Sequence, residues 1–219
     1  MKSKITDILV VLDRSGSMAS ITKDVIGGFN TFIEKQKKEK GKAFLTLTQF
    51  DHEYEVVYDR VAIGDVKALD SKTYIPRGST ALNDAIGRAT KTMLESIEKR
   101  AKKDKPDNVL CLIVTDGQEN ASKEYTKDMI VKLIKEQEAG NWVFSFIGTA
   151  DANAFAAGMS YGIMASNIAA VEKTSGGILA TFEASALLST NVRAMGHNHR
   201  KSEEAESVQS YYDHSHQGS

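Results

Sequence analysis

The chain has 219 residues, of which 41% are hydrophobic and 26% charged, and its formal net charge is −1. Those are the proportions of a globular domain of ordinary size, and they exclude a global basic field that would draw nucleic acid or an anionic membrane surface. One cysteine rules out an intramolecular disulfide; Cys111 lies in an apolar run and reads as a buried, inert thiol.

The polar start, residues 1–7, leads into a short apolar run without a small-residue cleavage site, so it does not read as a signal peptide. No stretch approaches the roughly 18 apolar residues that cross a bilayer. The expected location is cytoplasmic, with no membrane partner. Residues 8–12 form a continuous apolar run ending in a polar turn, the pattern of a central parallel strand covered on both faces. Val25, Ile26, Phe29, Phe32 and Ile33 then follow a helical period. That helix should end near the lysines of residues 35–42, a solvated terminus matched to the macrodipole, with Gly41 as its stop.

Residues 43–50 and 54–63 read as strands joined by the short link Asp51, His52 and Glu53. A link that short implies a hairpin, so one of the two strands runs antiparallel at an edge. A helix is expected over residues 81–100, with Leu82, Ile86, Ala89 and Met93 on its apolar face. A second buried strand follows at 109–114, and Met129, Ile130, Leu133 and Ile134 mark another helix closed by Gly140. A strand at 142–147, a small helix at 152–157, a short strand at 162–165 and a helix at 175–193 complete the pattern.

Strands alternating with helices predict an α/β fold: a doubly wound, mostly parallel sheet with one antiparallel edge strand and helices on both faces. From residue 196 the chain is rich in Lys, Glu, Ser, His and Gln. The expected organisation is therefore one domain over 1–195 and a polar, poorly ordered tail over 196–219.

In such a sheet, ligands bind beyond the carboxyl ends of the strands. Three polar clusters fall at loops of that kind. Asp13, Ser15 and Ser17 follow the first strand, Thr80 opens the second long helix, and Asp116, followed by Gly117, leaves the next buried strand. Each has a plain alternative as a helix cap or an ordinary turn. Together they place two carboxylates and three hydroxyls at one sheet end, an all-oxygen set of the kind that hard cations such as Mg²⁺ prefer.

The pattern Asp13-x-Ser15-x-Ser17 with Thr80 and Asp116 resembles the metal-ion-dependent adhesion site (MIDAS) of von Willebrand factor type A (VWA) domains. The resemblance covers roughly residues 5–193 in element order and leaves no motif position substituted. It implies a VWA/Rossmann-like fold with Mg²⁺, or alternatively Mn²⁺ or Ca²⁺, held at the five residues. Ser15, Ser17 and Thr80 would supply hydroxyl oxygens, with Asp13 and Asp116 acting directly or through water. The implied function is protein binding, in which an exposed Asp or Glu of a partner completes the metal's coordination. Among family members, a stand-alone domain without a signal peptide resembles bacterial or phage-borne ones.

Flanking residues are read more plainly. Arg14 and Met18 lie beside the motif, while Asp51, His52, Glu53, Gln118, Glu119 and Asn120 read by default as solvated loop residues near the same rim. The pairs His197/His199 and His214/His216 lie in the polar tail without other ligands, and the basic run over 99–105 suits a helix end; no nucleic-acid partner is expected. Two other functions stay open: a metal-dependent hydrolase or phosphoryl-transfer enzyme, and an assembly component whose metal only stiffens loops. Against the enzyme, no His or Lys is paired in sequence with the motif as an acid or base, so the expectation is a non-enzyme.

Overall fold

The first apolar run extends beyond its hydrophobic centre, and strand β1 (Ile5–Asp13) is buried along its whole length. In the computed structural model, which describes residues 4–116, 118–149, 154–171 and 175–194, the chain then continues through α1 (Thr22–Lys38), β2 (Lys42–Phe50) and β3 (Tyr54–Ala62). Next come α2 (Leu82–Glu98), β4 (Asn108–Val114), α3 (Lys127–Glu138), β5 (Trp142–Thr149), α4 (Ala154–Ser160), β6 (Ile168–Val171) and α5 (Ser175–Ala194). Gly117 and the expected tail with its histidine pairs lie outside the described residues.

The six strands form one sheet in the order β3-β2-β1-β4-β5-β6. All neighbouring pairs are parallel except β2 with β3, the expected hairpin, so β3 is an antiparallel edge strand. Alternation along β1 sorts the core. Ile8, Val10 and Leu12 face one side, packing with Phe29 and Phe32 of α1 and with Phe182 of α5. Leu9 and Val11 face the other side, with Ile86 of α2 and Ile130 and Ile134 of α3. Helices therefore cover both faces, as a nearly all-parallel sheet requires. Gly28 lets α1 and α5 approach closely: a Cβ there would fall 2.3 Å from the Phe182 ring.

Three expectations are corrected. The short strand placed at 162–165 lies instead at Ile168–Val171; Gly162 adopts a positive φ of 81° and a 3-10 turn intervenes. The apolar character around Ile163 reflects burial of that one side chain, not pairing. Met129, expected on the apolar face of α3, is exposed, and the buried stripe is Ile130 and Ile134. The small helix runs on past residue 157 to Ser160, while its expected start at 152 lies outside the described residues.

Chain direction across the sheet decides where the polar loops meet. From β1 the chain moves to β2 on one side, whereas β4 lies on β1's other side. The carboxyl ends of β1 and β4 thus flank the point where connections diverge to opposite faces, which leaves a crevice there.

Candidate metal centre

Leu12 pairs with Val114, so Asp13 and Thr115 leave the sheet side by side. The Thr115 hydroxyl donates to Asp13 Oδ2 at 2.6 Å, and the Ser15 amide donates to Asp13 Oδ1 at 2.6 Å. Ser17 Oγ donates to Asp116 Oδ1 at 2.7 Å and lies 3.0 Å from Ser15 Oγ. A hydrogen-bonded chain therefore runs from Asp13 through the Ser15 amide and the two serine hydroxyls to Asp116. Asp13, Ser15 and Asp116 are buried while Ser17 is exposed, so the cluster opens to solvent at Ser17.

The segment carrying Thr80 is tied to the first motif loop through residues just before it. Gly16 N donates to Gly78 O at 3.0 Å, and Arg77 N donates to Arg14 O at 2.7 Å, which lays the segment before α2 along the first loop. Gly78 makes this possible: its φ is +69°, and a Cβ would fall 2.2 Å from His52 Nδ1. On its other side Thr80 N donates to Asn120 Oδ1 at 2.9 Å, and Thr80 O accepts from the Asn120 and Ala121 amides at 3.0 and 3.2 Å. Thr80 is itself buried between the two loops. It does not open α2, however; the helix begins at Leu82, with Ala81 in the cap position and no local side-chain cap.

Electrostatics set the cost of this arrangement. Burial pushes the Asp13 carboxyl from its ordinary value of 3.8 up to about 6, with the Asp116 charge adding to the rise and hydrogen bonds from Thr115 and Ser15 opposing it. Raising a carboxyl's pKa on folding means that the folded chain binds the proton more tightly. The associated stability is present in full below pH 3.8 and is lost as pH rises through about 6. At neutral pH the ionised Asp13 costs the metal-free fold about 3 kcal/mol. Asp13→Asn should therefore raise the thermal midpoint in chelator at pH 7.5 and flatten the decline between pH 4 and 7. Unfolding scans at pH 4, 5.5 and 7.5 check this, and a lower midpoint for the variant at pH 7.5 would contradict it.

Several residues that the sequence left in solvated loops prove to be structural. Asp51 is fully buried, accepting from Arg14 Nε at 3.2 Å, Arg77 Nε at 2.9 Å and the Glu53 amide at 2.6 Å. Its only available signal was its position at the end of β2, which resembles any hairpin turn. Tyr74 was also overlooked: its hydroxyl, buried beneath the site, donates to the main-chain oxygen of Asp13 at 2.6 Å. Burial and the Asp13 charge hold that phenol well above its usual range, so it remains a donor. Burial likewise pushes the Cys111 thiol up, in keeping with an inert core residue.

Comparison with known proteins decides the family. A family model for the von Willebrand factor type A domain matches residues 7–160. The chain belongs to that family. The match takes in Asp13, Ser15, Ser17, Thr80 and Asp116 and runs from within β1 through α4.

Solved structures share the fold at low identity. The proximal thread matrix protein 1 of the mussel byssus, in a form with a zinc-occupied MIDAS motif, is 15% identical with a TM-score of 0.57, covering 86% of this chain and 48% of the mussel chain. Manganese-loaded TRAP protein of Plasmodium vivax is 16% identical with a TM-score of 0.54, covering 83% of this VWA chain and 74% of its own. The von Willebrand domain of the pilus tip protein Mfa5 from Porphyromonas gingivalis is 11% identical with a TM-score of 0.65, over 90% and 98% of the two chains. This chain spans about half the length of the mussel chain and 43% of a Catenulispora acidiphila VWA chain. No curated protein sequence matches it.

Proposed function

We propose that this VWA domain is a divalent-cation-dependent protein-binding module rather than an enzyme, with Asp13, Ser15, Ser17, Thr80 and Asp116 as a complete MIDAS. The observation that carries the reading is the hydrogen-bonded chain from Asp13 through Ser15 and Ser17 to Asp116 at the β1/β4 crevice, with Thr80 buried and bonded through its backbone to Asn120. The donor chemistry fits a hard cation. Among the described residues no three His, Cys, Asp or Glu side chains gather as a metal group, so any cation here would draw on the hydroxyls as well as the two carboxylates. Hydroxyl and carboxylate oxygens suit Mg²⁺ or Mn²⁺ better than softer ions. The costly ionised Asp13 is itself a reason for the site to favour positive charge.

The protein's own residues divide the work. Asp13 and Asp116 supply the negative charge, and their hydrogen bonds to Ser15, Thr115 and Ser17 fix the carboxylates in orientation. Ser17, exposed at the mouth, leaves the side from which a partner would approach. A cation held by so few charged ligands keeps an open position for a partner's Asp or Glu side chain. The Thr115 and Ser17 hydroxyls and the Ser15 amide hold the two carboxylates in place, which suits fixed ligands of a cation.

Support also comes from relatives whose structures hold zinc or manganese, one of them explicitly at a MIDAS motif. The test is capture of partners from the native cell in Mg²⁺, with Asp13→Ala as control. Capture should vanish in chelator and with the variant. Capture that survives both would place the interface elsewhere, and phosphoester or peptide turnover lost in Asp13→Asn would instead make the domain a hydrolase.

A further inference from the structure

The loop after β4 carries a second carboxylate that the five-residue motif does not contain. Glu119 Oε1 accepts from the amides of Ala121 and Ser122 at 2.9 and 2.7 Å, and Oε2 accepts from Ser122 Oγ at 2.6 Å. Oε2 also accepts from the amide of Asn83 at 2.7 Å, in the first turn of α2. Ser122 Oγ in turn accepts from the Asp84 amide at 3.0 Å. The helix that Thr80 precedes has no cap of its own, and its first free amides are capped instead from a loop about forty residues further on. A carboxylate at that end also meets the positive pole of the helix.

The clamp works in both directions. Asp84, at the start of α2, accepts from the amides of Lys123, Glu124 and Tyr125 at 2.8, 2.9 and 2.8 Å. Asn120, next to Glu119, holds Thr80 through both its side chain and its amide. The result is that residues 119–125 and the segment carrying Thr80 are one hydrogen-bonded unit. Thr80 thus owes part of its placement to groups outside the motif, three and four residues beyond Asp116.

We infer that Glu119 is a positioning residue of the metal site: it fastens the Asp116 loop to the start of α2 and so sets the spacing between Asp116 and Thr80. The inference rests on the metal-binding reading above. It differs from a purely structural role in what it predicts, because loss of the clamp should cost metal affinity beyond any cost in stability. Groups that orient metal ligands typically contribute about 10- to 100-fold in affinity.

The experiment titrates Mn²⁺ into the unaltered chain, Glu119→Ala, Glu119→Gln and a control, Thr126→Ala, while thermal midpoints are measured in chelator. Thr126 caps α3 at the far end of the same loop, accepting from Met129 N at 3.3 Å, so its loss weakens the fold without touching the clamp. Glu119→Ala should weaken Mn²⁺ binding about 10- to 100-fold, and Glu119→Gln, which keeps one acceptor oxygen, should fall between it and the unaltered chain. Thr126→Ala should leave affinity within about twofold while lowering the midpoint, since it touches no group of the metal site. If the unaltered chain binds Mn²⁺ and Glu119→Ala binds it within twofold, the inference fails alone. If Glu119→Ala does not fold, the Glu119→Gln comparison decides in the same way. If the unaltered chain binds no Mn²⁺, both the metal-binding reading and this inference fall.

Discussion

Calorimetric titration of Mg²⁺ or Mn²⁺ should show one site, with affinity reduced at least about 100-fold in Asp13→Ala and in Asp116→Ala. The reason lies in charge. Asp13 and Asp116 are the two anionic members of the cluster, and each is held by hydrogen bonds at 2.6 or 2.7 Å, so neither can be replaced by a neighbour swinging in. Removing either leaves a cation facing mostly neutral hydroxyl dipoles, which cannot repay its lost hydration. Thr80→Ala and Ser17→Ala each delete one neutral oxygen and should cost less, about tenfold. Binding also links to stability: Mg²⁺ at 100 times its dissociation constant should stabilise the fold by about 2.7 kcal/mol, and that gain should vanish in Asp13→Ala. Equal affinities for the unaltered chain and both carboxylate variants would remove the cluster from metal binding.

Asp51→Ala should destabilise the chain by about 3–5 kcal/mol. Asp51 is fully buried and binds two guanidinium groups, and the side chain of one of them, Arg14, is only 9% exposed. Deleting the carboxylate leaves the Arg14 charge buried with only the half-exposed Glu55 still facing it. Breaking one side of such a pair costs more than never having had it, because the remaining charge stays desolvated. Arg77, about half exposed at 49%, can turn to water, so Arg77→Ala should cost under about 1 kcal/mol. Chemical denaturation of the two variants, with Asp51→Ala/Arg14→Met as a check that removing both charges restores part of the loss, tests this. A loss below about 1 kcal/mol for Asp51→Ala would show that Arg14 finds solvent or another partner.

Asp51 also matters for the site. The amide of Arg14 donates to Phe50 O at 2.8 Å and that of Ala81 to Asp51 O at 2.9 Å, so the β2–β3 turn braces both the first motif loop and the approach to α2. Loss of its buried charge pair is therefore expected to loosen the rim as well as the fold.

How far each feature could be read from the chain follows from the range of the forces that create it. The apolar run of β1 and the helical spacing of Val25, Phe29 and Phe32 are local patterns, and the corresponding elements appear with their ends moved by a few residues. β6 is the instructive failure. Its four residues Ile168, Ala169, Ala170 and Val171 are too short a run to show a period, and they form a strand because β5 offers a parallel edge beside them. Met129 fell on the wrong side for a similar reason: five apolar residues within six positions leave a helix's buried face undecided until it docks.

The candidate metal residues were legible because each stands at a recognisable place, a strand end or the approach to a helix, with an oxygen side chain. Sequence by itself determined the alternation of strands and helices, the strand-end positions of Asp13 and Asp116, and their match to a known five-residue pattern. Only the tertiary structure decided that these loops meet, since strand order sets β4 beside β1 and no local pattern encodes strand order. It also decided the roles of Asp51, Tyr74 and Glu119, whose decisive long-range partners lie 26 to 61 residues away in the chain. A carboxylate in a polar turn has one appearance in sequence whether it faces water or a buried guanidinium. Its partner, and hence its function, is fixed by packing between segments that the chain's own periodicity does not connect.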